Sequence, residues 1–421
     1  MTEENHPIRN INPKIWQIVV IAFIAIAFTA VWLSTYEYLD KVIWMNDFVA
    51  THRWTIIVGV LGFSLLVGLC EKYLHAPNVI HGGFSDSMKG EGVKSDYKAF
   101  PGTLLSSFVS LFSGASVGPE GPLAFLIMEI SVWTREKLKI LNDAALGFDV
   151  AALSSAYNGI IGSPLFTAVF ATEFNVGKKD ALTFLAWNLL AGVIGFLFFS
   201  LLGLRSFASM LAFPSISEVT GLYVLYAVLL GVLGAVIAIL MGLAMQGIGV
   251  VMEKTFKDKI LTRILAAGII IAIICYLIPD LMFSGETQIL GIINQAAEIG
   301  VAMLLLMAVL KALLLALSFK SGYLGGPIFP TVFTCTMIGL TLSLVFPGVP
   351  VGIFVLCIIA AVITLALGAP LTAILLVIVM GAANQYMIAL LVLSSVVALI
   401  FGTAVRQLRE KRAGKEVKVS S

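Results

Sequence analysis

Glu120 stands in the run Gly118-Pro119-Glu120-Gly121-Pro122, with a Gly-Pro pair on either side, at the mouth of the apolar stretch 123–133. A carboxylate there is presented at a helix start, where free N–H groups and the positive end of the helix dipole attract negative charge. Deprotonated, it can fill such an anion site itself. Protonated, it loses that attraction and can swing away, which makes one group both a gate and a proton carrier. Acids at membrane depth are costly and functional by default; the bland alternative is an acid that only satisfies local amides. A second turn, Gly325-Gly326-Pro327-Ile328-Phe329-Pro330, opens another apolar stretch. Glycine permits close approach of a ligand, and proline is tolerated in the first helical turn. Both motifs therefore predict an anion site built from partial charges. A fixed Lys or Arg would hold a permeating anion too tightly, whereas partial charges let it enter and leave.

The two turns match each other. SGASVGPEGP at 113–122 aligns with SGYLGGPIFP at 321–330 at an offset of 208, pairing one Ser, two Gly and two Pro. Gly162-Ser163-Pro164-Leu165 aligns with Gly368-Ala369-Pro370-Leu371 at 206, and each Pro-Leu opens an apolar helix. These pairs predict two homologous halves, 12–208 and 215–408, between an N-terminal tail at 1–11 and a short basic tail at 409–421. Transporters built from two halves bind substrate near the midplane, where interrupted helices point their N-termini inward. The sequence alone leaves open whether the halves are inverted.

Other isolated polar residues read less sharply. Glu173 ends the run from Pro164 near the cytoplasmic side and reads either as structural or as a proton relay. Glu129 follows Glu120 by nine residues, about 180° round a helix, and so points away from its site. Lys311, alone in an apolar run, reads as the structural partner of an acid. Cys70, Cys275, Cys335 and Cys357 all lie in or beside apolar runs and read as small buried hydrophobes, not a disulfide or zinc framework.

The elements that must position these groups are membrane helices. Of 421 residues, 59% are hydrophobic and 12% charged, with a mean hydropathy of +1.03; soluble domains carry about 25% charged residues. Stretches 15–33, 54–70, 181–202, 222–251 and 301–317 approach or exceed the roughly 20 apolar residues of a spanning helix. Stretches 100–113, 123–133, 151–174 and 352–381 are too short or broken to cross straight, and broken helices at membrane depth line cavities. The fold class is thus all-α and polytopic. The polar N-terminus has no signal-peptide pattern, so the first span is expected to be retained. Arg406, Arg409, Lys411, Arg412, Lys415 and Lys418 oppose two glutamates in the tail, which the positive-inside rule places in the cytoplasm.

No cofactor, metal or nucleic acid is expected. The histidines, His6, His52, His75 and His81, lie in the tail or in polar connections, and HExxH and ATP-binding motifs are absent. A G-x-S-x-G string at 114–118 overlaps the anion motif and lacks the strand-to-helix setting of a nucleophile elbow. An intramembrane enzyme and a non-conducting scaffold are the rival readings from other classes.

Residues 118–122 resemble the G-[KR]-E-G-P motif of the CLC family of chloride channels and proton-coupled anion transporters. Residues 326–330 are similar to its G-x-F-x-P region, with Ile328 in place of the phenylalanine, and the two Pro-Leu starts resemble its helix-opening pairs. The resemblance covers nearly the whole transmembrane chain. It implies inverted halves meeting at a midplane anion site, and a homodimer in the cell membrane with one pathway per subunit. It also implies chloride or a similar monovalent anion as substrate, protons as partners, and Glu120 as the external gating glutamate. Gly118, Gly121, Gly326, Ile328, Phe329 and Asn78 become the anion-binding candidates, and Glu120 and Glu173 the gating and proton candidates.

The departures are specific. The family's first anion motif, G-S-G-I-P, appears as Asn78-Val79-Ile80-His81. Asn78 replaces the anion-coordinating serine, and its amide NH2 is also a donor; helix-terminal packing is the other reading. His81 replaces the proline and reads as a polar loop residue or a titrating group. Pro327 has no N–H, so coordination falls to the amides of Ile328 and Phe329. Pro119 removes the usual basic residue, Phe174 aligns with the inner proton-transfer acid, and 391–403 holds no tyrosine. The sequence thus reads as a chloride-type channel or anion/proton exchanger, with a fluoride-selective exchanger as its near rival.

Overall fold

The computed structural model describes residues 13–74, 97–140, 144–174, 181–206, 208, 211, 213–257 and 259–419. In a bilayer the backbone must satisfy its own polar groups, which favours helices throughout. In chain order these are α1 (Ile15–Ile43), α2 (Asp47–Thr51), α3 (Trp54–Leu74), α4 (Phe100–Leu111), α5 (Glu120–Lys137), α6 (Ala145–Ala156), α7 (Phe166–Phe174) and α8 (Ala181–Leu201). There follow α9 (Gly221–Phe256), α10 (Ile260–Leu277), α11 (Glu286–Ser321), α12 (Ile328–Val345), α13 (Val351–Leu367), α14 (Pro370–Gly381) and α15 (Gln385–Val419). Among the described residues, eight of these are long and apolar enough to cross a membrane: α1, α3, α8, α9, α10, α11, α12 and the first 27 residues of α15.

The five stretches read as spans coincide with α1, α3, α8, α9 and α11. The broken stretches are short helices joined by tight turns: α4, then α6 into α7, then α13 into α14 across Gly368 at φ 67°. Stretch 123–133 differs, because it lies within the continuous α5 and its interruption is the turn that precedes it. A break the sequence reading did not anticipate occurs at Gly300 (φ 78°, ψ 162°), which divides α11.

The two motif-bearing helices lie inside the bundle. α5 packs on α1, α4 and α6, and α12 packs between α11 and α13 with 72% of its span buried. Outer helices keep apolar residues outward, Leu182 at 82% and Leu201 at 84% exposed, as a lipid-facing surface requires. All four cysteines are free and buried, in keeping with their reading as small hydrophobes.

Lys311 corrects an expectation. Its fully buried ammonium is hydrogen-bonded to no acid among the described residues; it donates to the carbonyls of Leu281, Met282 and Phe283 at 3.1, 3.4 and 2.6 Å. Three converging carbonyls of one turn satisfy all three ammonium hydrogens, so no carboxylate is needed to seat the charge.

Candidate anion site

The starts of α5 and α12 are built alike. Pro119 and Pro327 occupy their N-cap positions with helical φ/ψ, and since proline has no N–H, neither leaves a donor stranded there. Immediately before them, the Gly118 amide donates to the Gly326 carbonyl and the Gly326 amide donates back to the Gly118 carbonyl, both at 2.8 Å. The pairing is an antiparallel bridge between the two residues that the 208 offset aligns. In this arrangement the amides of Gly118 and Gly326, expected as anion donors, are used on one another. The amides that face a negative group are those one and two positions past Pro327.

The Glu120 side chain meets those donors. Glu120 opens α5 and is 3% exposed, and its Oε1 accepts a hydrogen bond from the Ile328 amide at 2.7 Å. The carboxylate also lies against its own amide and that of Phe329. Its Oε2 is buried without a hydrogen-bond partner among the described residues. The carboxylate of one helix start therefore caps the other, and a negative group already rests on the amides predicted to coordinate an anion.

Glycine is needed here for room. A Cβ on Gly326 would stand 2.3 Å from both Cδ and Oε1 of Glu120, and one on Gly118 would stand 2.0 Å from its Oε2. At Gly121 the obstruction is backbone, because a Cβ would lie 2.4 Å from the Gly325 carbonyl carbon and 2.6 Å from the Gly326 nitrogen. Two glycines thus form the slot for the carboxylate, and the third lets the helix starts touch.

Tyr157, which the sequence reading did not single out, holds the gate segment from behind. It follows α6, is 1% exposed, and its hydroxyl donates to the Glu120 carbonyl at 2.5 Å. Its ring stacks on Phe166, which stacks on Phe170, with centroids 6.3 Å apart in each pair. The available signal was a lone tyrosine among small residues in SSAYNGIIGS, since a buried tyrosine hydroxyl must find an acceptor.

The remaining candidates separate from this centre. Glu173, in the last turn of α7, uses both carboxylate oxygens on the start of α14. Oε1 accepts from the Leu371 amide at 2.7 Å, and Oε2 from the Thr372 amide and hydroxyl at 2.9 and 2.5 Å. These contacts support the structural reading, a helix cap supplied from elsewhere in the chain. Glu173→Ala is expected to destabilise the protein by about 1–2 kcal/mol, read as a lower thermal midpoint in detergent, with the pH profile of anion flux retained. Glu129 accepts from the Thr103 hydroxyl at 2.7 Å, away from Glu120. Phe174 is the last residue of α7. Asn78 and His81 lie outside the described residues.

Comparison with known proteins bears directly on this arrangement. The profile of the family described as Voltage gated chloride channel matches residues 62–403, which include both helix starts. The chain belongs to the voltage-gated chloride channel family. A curated relative from Escherichia coli (strain SMS-3-5 / SECEC), "Putative ion-transport protein YfeO", is 26% identical over 277 residues. That match spans 63% of this chain and 63% of the relative's length. The protein of the same description from Shigella boydii serotype 4 (strain Sb227) is 26% identical over 321 residues, 73% of this chain and 72% of the relative.

Among solved structures, a slow cyanobacterial Cl−/H+ antiporter superposes with a TM-score of 0.80 at 18% identity, covering 95% of each chain. A CLC-type fluoride/proton antiporter gives 0.74 at 19%, covering 92% of this chain and 94% of its own. At these identities the likeness speaks to the fold, which is the CLC-like, all-helical architecture expected from the sequence.

Proposed function

We propose that this chain carries chloride or a similar monovalent inorganic anion across the membrane, as a channel or an anion/proton exchanger, with Glu120 as its protonatable gate. The observation that carries the reading is the 2.7 Å hydrogen bond from the Ile328 amide to the Glu120 carboxylate. A permeating anion and the carboxylate would compete for the same amides. A proton on Glu120 removes a charge-assisted hydrogen bond of about 1.5–3 kcal/mol and gives the amides to the passing anion. Tyr157 holds the Glu120 backbone while the side chain moves.

The reciprocal bridge between Gly118 and Gly326 supports two halves, 12–208 and 215–408, related by inversion. A homodimer in the cell membrane, with one pathway per subunit, is the assembly we propose from family membership. Fluoride is a second reading, favoured by Asn78 standing where the resemblance places the family's anion-coordinating serine. An intramembrane enzyme has less support, because the 114–118 string forms a turn tied to the residues around it. The Gly114 carbonyl accepts from Phe283, and the Ser116 amide donates to the Ser318 hydroxyl.

Purified protein in liposomes tests the proposal through chloride and fluoride efflux across a pH series. Chloride efflux that rises on acidification is expected. Faster fluoride efflux would favour the second reading, and no flux of either anion at any pH would contradict both.

A further inference from the structure

The segment leading into α11 lies against the turn that carries Glu120. The Phe283 amide donates to the Gly114 carbonyl at 3.3 Å, and the Phe283 ring packs edge-on to Trp44 with centroids 5.5 Å apart. Lys311 secures the same segment through three carbonyls, and its ammonium lies 4.7 Å from the centre of the Phe333 ring. Gly285, at φ 97°, turns the chain against that ring, where a Cβ would stand 2.4 Å from it.

This turn delivers Glu286, the first residue of α11, to the interior at 4% exposure. Its Oε2 accepts a hydrogen bond from the Ser284 hydroxyl. No salt bridge joins it to Lys311 among the described residues. The lysine therefore offsets nearby negative charge without fixing itself to one carboxylate. An acid buried at membrane depth is costly and functional by default.

The Phe283–Trp44 contact sets this segment against the end of α1, where the Trp44 amide donates to the Asp40 carbonyl at 2.8 Å. Asp40, partly exposed in the last turn of α1, and Tyr36, 5% exposed one turn earlier, lie within the electrostatic reach of Glu286. Glu120, whose Oε2 has no hydrogen-bond partner among the described residues, also lies within its electrostatic reach. The other charged or titratable groups are Glu37 beside Tyr36, Lys311 on α11, and Cys275 of α10, which faces Lys311.

We propose that Glu286 is a second protonatable carboxylate, passing protons between the Asp40 end of α1 and Glu120. The proposal rests on the reading of Glu120 as a protonatable gate. In each passage the Glu286 carboxyl gives its proton through bridging water to the Glu120 carboxylate and is left ionised, then takes up a proton from hydronium at the Asp40 end. The reverse sequence returns it. Tyr36, whose hydroxyl both donates and accepts, stacks on Phe112 beside the segment leading into α11, with centroids 5.5 Å apart.

The test records anion and proton movement together in proteoliposomes holding the wild type, Glu286→Gln, Glu286→Asp or Asp40→Asn. Glu286→Gln is expected to lower the protons moved per anion at least about tenfold, below the roughly hundredfold or more that a positioned proton donor contributes, and Glu286→Asp to restore most of the ratio. A wild-type ratio in folded Glu286→Gln, beside a coupled wild type, overturns the relay alone. A wild type that moves anions without protons overturns the coupled gate and the relay together. Should Glu286→Gln fail to fold, Asp40→Asn decides: a lowered ratio supports the relay, and an unchanged ratio overturns it.

Discussion

Glu120→Gln should remove the pH dependence of anion flux and leave the pathway open across the pH range. The side chain keeps its size and an oxygen that can accept from Ile328, but it loses the negative charge that makes the 2.7 Å contact strong. Replacing a charged acceptor by a neutral one costs the closed arrangement about 2 kcal/mol, about thirtyfold in the ratio of occupied to vacated amides. The sign follows from the chemistry. The ionised carboxylate blocks and the protonated one releases, so wild-type flux rises as pH falls, whereas the variant starts at the high-flux end. Proton movement coupled to the anion should fall below detection. Radiotracer or electrode-based efflux at several pH values reads both effects, and a variant with the wild-type pH profile would remove Glu120 from the gate.

A comparably large effect is expected from two alanine substitutions at the touching helix starts, with opposite outcomes. In Gly326→Ala the new methyl would stand 2.3 Å from Glu120 Cδ, but that obstacle is the end of a movable side chain. The carboxylate should be expelled at a folding cost on the order of 1 kcal/mol, giving pH-insensitive flux although the acid is still present. In Gly121→Ala the methyl would meet the Gly325 carbonyl carbon at 2.4 Å and the Gly326 nitrogen at 2.6 Å, both backbone. The helix starts would have to part, at about 3 kcal/mol or more, seen as poor yield and a lowered thermal midpoint. Wild-type gating in Gly326→Ala would show that the carboxylate does not need this slot.

The contrast between these glycines shows what could be read from the chain and what could not. The helix starts were legible because Gly-Pro pairs beside an acid are rare in an apolar chain, and because 113–122 repeats in 321–330. The span pattern was legible from apolar runs alone. The direction of the Glu120 side chain was not, since its partner is 208 residues away and depends on how two helix starts meet. For the same reason Gly118 and Gly326, read as donors to an anion, turn out to donate to each other.

Lys311 was read as the partner of an acid because sequence shows charges and hides carbonyls; three carbonyls of one turn hold it, and Glu286 lies within its electrostatic reach without a direct ion pair. Glu173 had two open readings until the free amides at the start of α14 came within reach. Glu286 drew no notice in the string FSGETQ, where an acid after Gly resembles any helix start. Its burial comes from tertiary packing, as Gly285 beside it turns the chain against the Phe333 ring.

The central claim is that the Glu120 carboxylate sits where the transported anion would bind. Its most direct test is bromide located by anomalous scattering in crystals of the wild type at neutral pH and of Glu120→Gln. The account predicts a bromide within hydrogen-bonding distance of the Ile328 and Phe329 amides in the variant, and none there in the wild type, where Oε1 holds the Ile328 amide. Bromide on those amides in the wild type with the carboxylate still in place, or no bromide there in the variant, would contradict it.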